Sequence, residues 1–385
     1  MKEIRIGMIG YSFMGKAHSN AYRQVAAYFD LKAKPVMKAI CGLYEHEAKA
    51  AAQKYGWEGY EKRWQDLIAR DDIDVIDITT PNNVHCVQAI AAAKAGKHIL
   101  CEKPLASTLA EAKAMLAAAQ KAKVKHMVGF NYRRVPALAL AKKMIEKGDL
   151  GKIFHIRAVY LQDWIIDPEF PLVWRLVKKE AGSGALGDLG AHIIDVAHHL
   201  VGDIDSLTAT TETFIKERPL PPKEYGGLAA KAASGKKGKV TVDDAALFLA
   251  RFKNGALGTF EATRFAAGNK NGNGFEINGS KGTLKFNFER MNELEYYNRE
   301  DPADRQGFRT ILVTEGCHKY AGAWWPPGHI LGYEHTFVHE VYDFIENITN
   351  NTKPSPDFAD GVKVQAVLDA VEQSAKSKQW VKVKV

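Results

Sequence analysis

Two stretches of the chain carry residue types that can move a proton off a hydroxyl group. In Ile99-Leu100-Cys101-Glu102-Lys103-Pro104-Leu105 an acid and a base adjoin at the end of an apolar run. In Gly182-Ser183-Gly184-Ala185-Leu186-Gly187-Asp188-Leu189-Gly190-Ala191-His192 a glycine-rich approach leads into a helix, with Asp188 and His192 four residues apart on one face. Asp188 falls in the first helical turn, where a carboxylate is favoured. The helix N-terminus disfavours an imidazolium at His192 and Asp188 favours it, a balance that suits a proton acceptor working near neutral pH. Lys103 can hold a developing alkoxide as a point charge. Lys103, Asp188 and His192 are therefore the candidate catalytic set. The plain structural reading makes Asp188 a cap, His192 a core residue and the Glu102-Lys103 pair a solvated strand end. A metal reading also exists, because His192, Asp195 and His199 lie at i, i+3 and i+7. No HExxH or further Cys/His set completes a coordination sphere, so no metal is expected.

A cofactor is expected at the N-terminus. Gly10-Tyr11-Ser12-Phe13-Met14-Gly15 follows the strand Ile4–Ile9 and opens a helix, with the spacing of a dinucleotide fingerprint and Ser12 at its second glycine. Gly10 permits the tight turn, Gly15 permits close helix–strand approach, and Ser12, Phe13 and Met14 present helix N–H groups to a pyrophosphate. The second strand ends in Cys41-Gly42-Leu43-Tyr44, placing Gly42 and Leu43 where an acid would bind the adenosine ribose. Neither an acid nor an arginine stands there, so NADP stays open and NAD is preferred. Ligands of open α/β sheets lie at the carboxyl ends of strands. This adds Thr79, Thr80, Pro81, Asn82 and His85 after one strand, Glu102 and Lys103 after the next, and Asn131 after the one beyond.

These residues need a scaffold. Through residue 129, short apolar strands alternate with helices, which predicts a doubly wound parallel sheet of Rossmann type in an α/β fold. Residues 130–385 read as a second, α+β domain, in which long alternating strands from Asp205 onward form an antiparallel meander and two helices close the chain. Pro219 to Lys239 reads as an excursion between strands. A length of 385 residues also favours two domains. With 46% hydrophobic and 25% charged residues the chain reads as soluble and globular. The net charge of +8 gathers partly in loop and tail lysines without aromatic interleaving, so no nucleic-acid partner is expected. Four separated cysteines, no signal segment and no apolar run long enough for a span predict a cytoplasmic protein without a membrane partner.

The turn GYSFMG, TTPNNVH, CEKPL, GFNYRR, AGSGALGDLGAHIIDVAHHLVG, GYEHTFVHEVYDF and PDFADG occur in that order. In these motifs the chain resembles the Gfo/Idh/MocA oxidoreductases. The resemblance implies a Rossmann domain followed by an open, mixed, mostly antiparallel sheet domain, assembled as a homo-oligomer (dimer or tetramer). It implies Lys103, Asp188 and His192 as the catalytic set. It also implies oxidation of a secondary hydroxyl of a sugar, glycoside or cyclitol by NAD(P), in the manner of the family's sugar and inositol dehydrogenases. Ser12 and the missing second-strand acid depart from the family pattern and bear on cofactor choice. Tyr132, Arg133, Gln162, Asp163, Trp174, Arg175 and His329 are the candidates for substrate contact, since aromatic faces suit sugar C–H surfaces and polar tips suit hydroxyls. Two other functions fit the same fold: glycoside cleavage through transient oxidation with tightly bound NAD, and non-catalytic NAD(P)-binding regulation.

Overall fold

Short strands with largely apolar centres need cover on both faces, and the N-terminal part of the chain supplies it. The computed structural model describes residues 2–221 and 235–385. Its first elements are β1 (Lys2–Ile9), α1 (Phe13–Tyr28), β2 (Ala33–Cys41), α2 (Glu45–Tyr55), β3 (Gly59–Glu61), α3 (Trp64–Ala69), β4 (Val75–Ile78), α4 (His85–Lys94), β5 (His98–Glu102), α5 (Leu109–Ala122) and β6 (His126–Gly129). The strands form a six-stranded parallel sheet in the order β3-β2-β1-β4-β5-β6. The order reverses beside β1, so the carboxyl ends of β1 and β4 open a crevice. The three-residue β3 has no clear apolar signature and was not expected from the sequence.

The later elements are α6 (Pro136–Lys147), β7 (Ile153–Leu161), α7 (Lys178–Ala181), α8 (Ala191–Leu200), β8 (Ile204–Glu212), β9 (Glu217–Pro219), β10 (Lys237–Lys239), β11 (Ala245–Phe252), β12 (Leu257–Thr263), β13 (Gly272–Gly279), β14 (Gly282–Asn287), β15 (Glu293–Asn298), β16 (Arg309–Leu312), α9 (Tyr333–Thr349), α10 (Phe358–Ser377) and β17 (Val381–Lys382). Nine of these strands pair in the order β16-β15-β14-β13-β7-β12-β11-β8-β17. The sheet is mixed, and the meander expectation is corrected: β7 inserts between β13 and β12 and runs parallel to β12. Alternation along β11 turns Phe248, Ala250 and Phe252 inward and leaves Leu247 and Leu249 exposed, with Leu257 of β12 on the same outer face. The excursion at Pro219 to Lys239 is rooted by the antiparallel pair β9 and β10, and its middle lies outside the described residues.

Helix α9 comes late in the chain yet packs on α1. Its Phe337, Val341, Phe344 and Ile345 are buried in one cluster with Ile4, Ile6 and Met8 of β1. Burial of each such side chain contributes roughly 1.5–3 kcal/mol. Among the described residues no helix is long and apolar enough to cross a membrane.

Helix α8 carries a pH-sensitive group. Both ring nitrogens of His198 are buried without a hydrogen-bond partner, and burial pushes its pKa from 6.5 down to about 4. The unfolded chain binds a proton there that the native state excludes. The stabilisation is complete above pH 6.5 and is lost as pH falls toward 4, on the order of 3 kcal/mol. His198→Leu is expected to reduce the dependence of unfolding free energy on pH across that window by about one proton. Urea titrations at several pH values measure it, and an unchanged slope contradicts the assignment.

Candidate active site

The conformation of the first turn decides what can approach it. Gly10 has φ of +114°, and a Cβ there would lie 2.4 Å from Thr79 Oγ1. Thr79 Oγ1 in turn donates toward the Ile9 and Gly10 carbonyls at 3.1 and 3.2 Å and braces the turn from β4. A Cβ on Gly15 would meet the Gly10 carbonyl oxygen at 2.3 Å, so only glycine permits this approach. Ser12 precedes α1 without capping it through its side chain, which leaves the first N–H groups of the helix for an anion. Phe13 is exposed and stacks toward Tyr333, and Met14 lies half-buried behind it. This cradle fits a dinucleotide pyrophosphate. At the end of β2, the Tyr11 ring covers Gly42, where a Cβ would fall 2.0 Å from it, and Leu43 is 82% exposed.

Glu102 and Lys103 leave β5 in opposite directions. Lys103 Nζ donates to the Asp188 backbone carbonyl at 2.8 Å and to Asp188 Oδ1 at 3.0 Å. The other oxygen, Oδ2, accepts from Arg264 Nη2 at 3.0 Å. The Asp188 side chain is 26% exposed. Burial alone would raise its pKa, but Lys103 foremost, then Arg264 and Arg175, hold it well below the usual carboxylate range. Asp188 sits in a single π-helical turn, Leu186–Gly190, that precedes α8. Asp243 anchors that turn by accepting from the Gly184 and Leu186 amides, each at 2.7 Å.

His192 does not pair with Asp188, which corrects the expectation from their spacing. The π turn intervenes, and two cations already hold the carboxylate. The His192 ring lies among Tyr132, Tyr160 and Phe130 at centroid distances of 4.5, 5.8 and 6.1 Å. Its Nδ1 is buried without a partner, and no described protein group takes up Nε2. Burial first, and Lys103 second, lower its pKa well below 6.5 against the opposite pull of Asp188. The ring is therefore neutral at pH 7 and able to accept a proton.

A polar wall continues from there. Tyr132 and Tyr160 share a hydroxyl–hydroxyl bond of 2.6 Å, and Asn271 Oδ1 accepts from Tyr160 at 2.6 Å and from Gln162 at 3.1 Å. Trp164 Nε1 donates to Gln162 Oε1 at 2.8 Å, and the Arg264 guanidinium lies 5.4 Å from the Trp164 ring centroid. Arg175 stacks on Trp174 at 4.4 Å. Arg264, Tyr160 and Asn271 escaped the sequence reading because each stands in or beside an ordinary strand with no motif around it.

Other expected contacts are placed elsewhere. Glu102 turns inward: its Oε1 accepts from His18 Nε2 at 2.9 Å and its Oε2 from the Lys103 amide at 3.1 Å. A side chain on Gly129 would exclude it, since a Cβ there would lie 2.9 Å from Oε1. His85 is fully buried, with its two nitrogens against the Pro104 and Thr80 carbonyls at 3.1 and 2.9 Å, so its side chain clamps two strand ends rather than facing a cofactor. Arg133 is taken up by both oxygens of Asp195, at 2.8 and 2.6 Å, which removes it from the polar wall and also breaks the His192/Asp195/His199 set. Asp163 is held by Lys270 and the Gly268 amide, and His329 is exposed with Nδ1 against the Pro326 carbonyl. Neither contacts the cluster. Asn131 is buried and donates to Thr336 at 2.8 Å, Asn82 donates to the Ala181 carbonyl at 2.9 Å, and Thr80 donates to Gln88 at 2.8 Å beside the exposed Pro81.

His18 is held between two buried carboxylates. Besides Glu102, its Nδ1 meets Asp77 Oδ2 at 2.9 Å, and Tyr22 donates to the same Asp77 oxygen at 3.0 Å. Burial works against a charged ring, but Asp77 and Glu102 outweigh it and hold the His18 pKa well above its ordinary value. Glu102→Ala strands part of a buried charge network and is expected to cost about 3–5 kcal/mol, with Glu102→Gln milder. Urea unfolding measures both, and wild-type stability in the alanine variant contradicts this account.

Comparison with known proteins places this geometry in context. Residues 4–130 match the family model described as an oxidoreductase family with an NAD-binding Rossmann fold, and residues 138–285 match the GFO/IDH/MocA C-terminal domain. Levoglucosan dehydrogenase of Pseudarthrobacter phenanthrenivorans is 46% identical, covering 100% of this chain and 99% of that protein. A solved levoglucosan dehydrogenase in complex with NADH and levoglucosan is 46% identical, with a TM-score of 0.94 over 100% of both chains. An oxidoreductase domain protein from Kribbella flavida is 53% identical, with a TM-score of 0.95 over 100% of both chains. The chain belongs to the Gfo/Idh/MocA family of oxidoreductases and carries that family's NAD-binding Rossmann fold.

Proposed function

We propose that the protein oxidises a secondary hydroxyl of a sugar, glycoside or cyclitol to a ketone. The observation that carries this reading is the Lys103 ammonium, bonded to Asp188 at 3.0 Å in the same cluster as a neutral, buried His192. Bound NAD supplies the hydride acceptor. His192 accepts the hydroxyl proton, and Lys103 stabilises the negative charge that builds on the substrate oxygen. Asp188 holds the lysine amine through two acceptors, which restricts it to one geometry. Tyr132, Gln162, Trp164, Trp174 and Arg175 supply aromatic faces and hydroxyl partners. Residues 1–129 hold the cofactor, with Gly10, Ser12, Phe13, Met14 and Gly15 at the pyrophosphate, and residues 130–385 hold the substrate. Glu45 and Glu47 in the first turn of α2, close after Leu43, disfavour a 2′-phosphate and support NAD over NADP. The names of the levoglucosan and inositol dehydrogenases among its relatives support the substrate class. Leu247, Leu249 and Leu257 on the outer sheet face support self-association there.

NADH formation from NAD, measured by absorbance with levoglucosan, glucose, myo- and scyllo-inositol, a glucoside and a sugar phosphate, tests the reading. Growth of NADH with at least one polyol is expected. A flat trace with the glucoside cleaved would replace it with transient oxidation, and a flat trace with no product would leave a cofactor-binding regulator. Lys103→Ala is expected to lower kcat by about 10²–10³-fold while NADH binding persists; near-normal turnover overturns the mechanism. Because His192 works as a base with a lowered pKa, kcat/KM is expected to hold as pH falls to 6.5 and to decline only below it.

A further inference from the structure

We infer that Arg264 is a positioning residue for Lys103, acting through Asp188. This rests on the dehydrogenase reading above. Three observations carry it. Arg264 is 1% exposed, and of its guanidinium donors only Nη2 has a described acceptor, which is Asp188 Oδ2 at 3.0 Å; Nε and Nη1 are buried without partners. Arg133, by contrast, spends two donors on the two oxygens of Asp195. Here the one hydrogen bond goes to one oxygen of one carboxylate, with the Trp164 ring, Asp243 and Asp244 also within reach of the charge.

The carboxylate is divided between two cations. With Oδ2 taken by Arg264, Lys103 receives only Oδ1 and the Asp188 backbone carbonyl. Without Arg264, Asp188 is free to turn both oxygens onto Lys103. The ammonium is then neutralised more fully and drawn toward the carboxylate, away from a substrate oxygen. Arg264 thus leaves part of the Lys103 charge available to the substrate.

The backbone around Arg264 suits this task. Arg264 follows β12, and its amide donates to the Asp244 carbonyl at 3.2 Å, one residue beyond Asp243. Asp243 grips the start of the π turn through the Gly184 and Leu186 amides, while Arg264 grips Asp188 within it. One edge of the β11–β12 pair therefore fixes the turn at two points. The other charges that bear on Asp188 are Lys103 and Arg175, and Tyr132, Tyr160, Tyr333 and His192 also sense it.

The test compares wild type, Arg264→Met and Arg264→Lys with NAD and levoglucosan, alongside the acylation rate of Lys103 by trace acetic anhydride, read by mass spectrometry. Arg264→Met is expected to lower kcat about 10–100-fold, with KM for levoglucosan and Kd for NADH within about threefold of wild type. Lys103 acylation is expected to slow by about threefold or more, because the amine is then covered by both carboxylate oxygens and less open to the reagent. Arg264→Lys restores a cation without the planar fork and is expected to recover part of both losses. Wild-type kcat together with wild-type Lys103 acylation in Arg264→Met overturns the inference, as does a loss confined to KM. If Arg264→Met does not fold, Arg264→Gln takes its place, and wild-type values for both readouts in that uncharged variant overturn the inference. If wild type forms no NADH from any polyol, the dehydrogenase reading fails. The acylation ratio still decides the Arg264 contact: slowed labelling supports it and equal labelling overturns it.

Discussion

One carboxylate joins the two halves of this protein. Asp188 accepts from Lys103, which leaves the parallel sheet at β5, and from Arg264, which leaves the mixed sheet at β12. Its position is set by a π turn whose start Asp243 holds through the Gly184 and Leu186 amides. A half-buried carboxylate flanked by opposite charges stays ionised, and the geometry of its partners is then restricted. Everything proposed for the site depends on that restriction, because a lysine free to swing would serve neither to bind nor to stabilise an oxyanion.

A second buried network stabilises the other side of β5. Asp77, His18 and Glu102 come from β4, α1 and the last residue of β5, and His18 also packs on Phe337 of α9 at a centroid distance of 5.5 Å. The adjacent acid and base at the end of β5 therefore do opposite work. Glu102 faces the interior and bonds the Lys103 amide, which fixes the backbone from which the lysine reaches Asp188. The helix whose N-terminus is free of a side-chain cap also carries His18, so the glycine turn and the lysine share one framework.

Much of the framework was legible in the sequence because it is local. The largely apolar runs at residues 4–9, β4, β5 and β6 and the spacing Gly10 to Gly15 are statements about neighbouring residues, and local rules govern them. The antiparallel partners β11–β12 and β13–β14 were likewise readable from alternation. The insertion of β7 between β12 and β13 was not, since pairing across more than a hundred residues leaves no periodic trace.

The sequence by itself determined the two kinds of sheet, a turn with the spacing of a dinucleotide fingerprint, and the presence of Lys103, Asp188 and His192 as groups able to move protons. It did so because strand composition, glycine spacing and side-chain chemistry are properties of short segments. Only the tertiary structure decided how those groups are paired. It gave Asp188 to Lys103 and Arg264 rather than to His192, turned Glu102 onto His18, and committed Arg133 to Asp195. Ion pairing depends on which charges fold within a few ångströms of one another and on how little water reaches them, and neither quantity can be read from spacing along a chain.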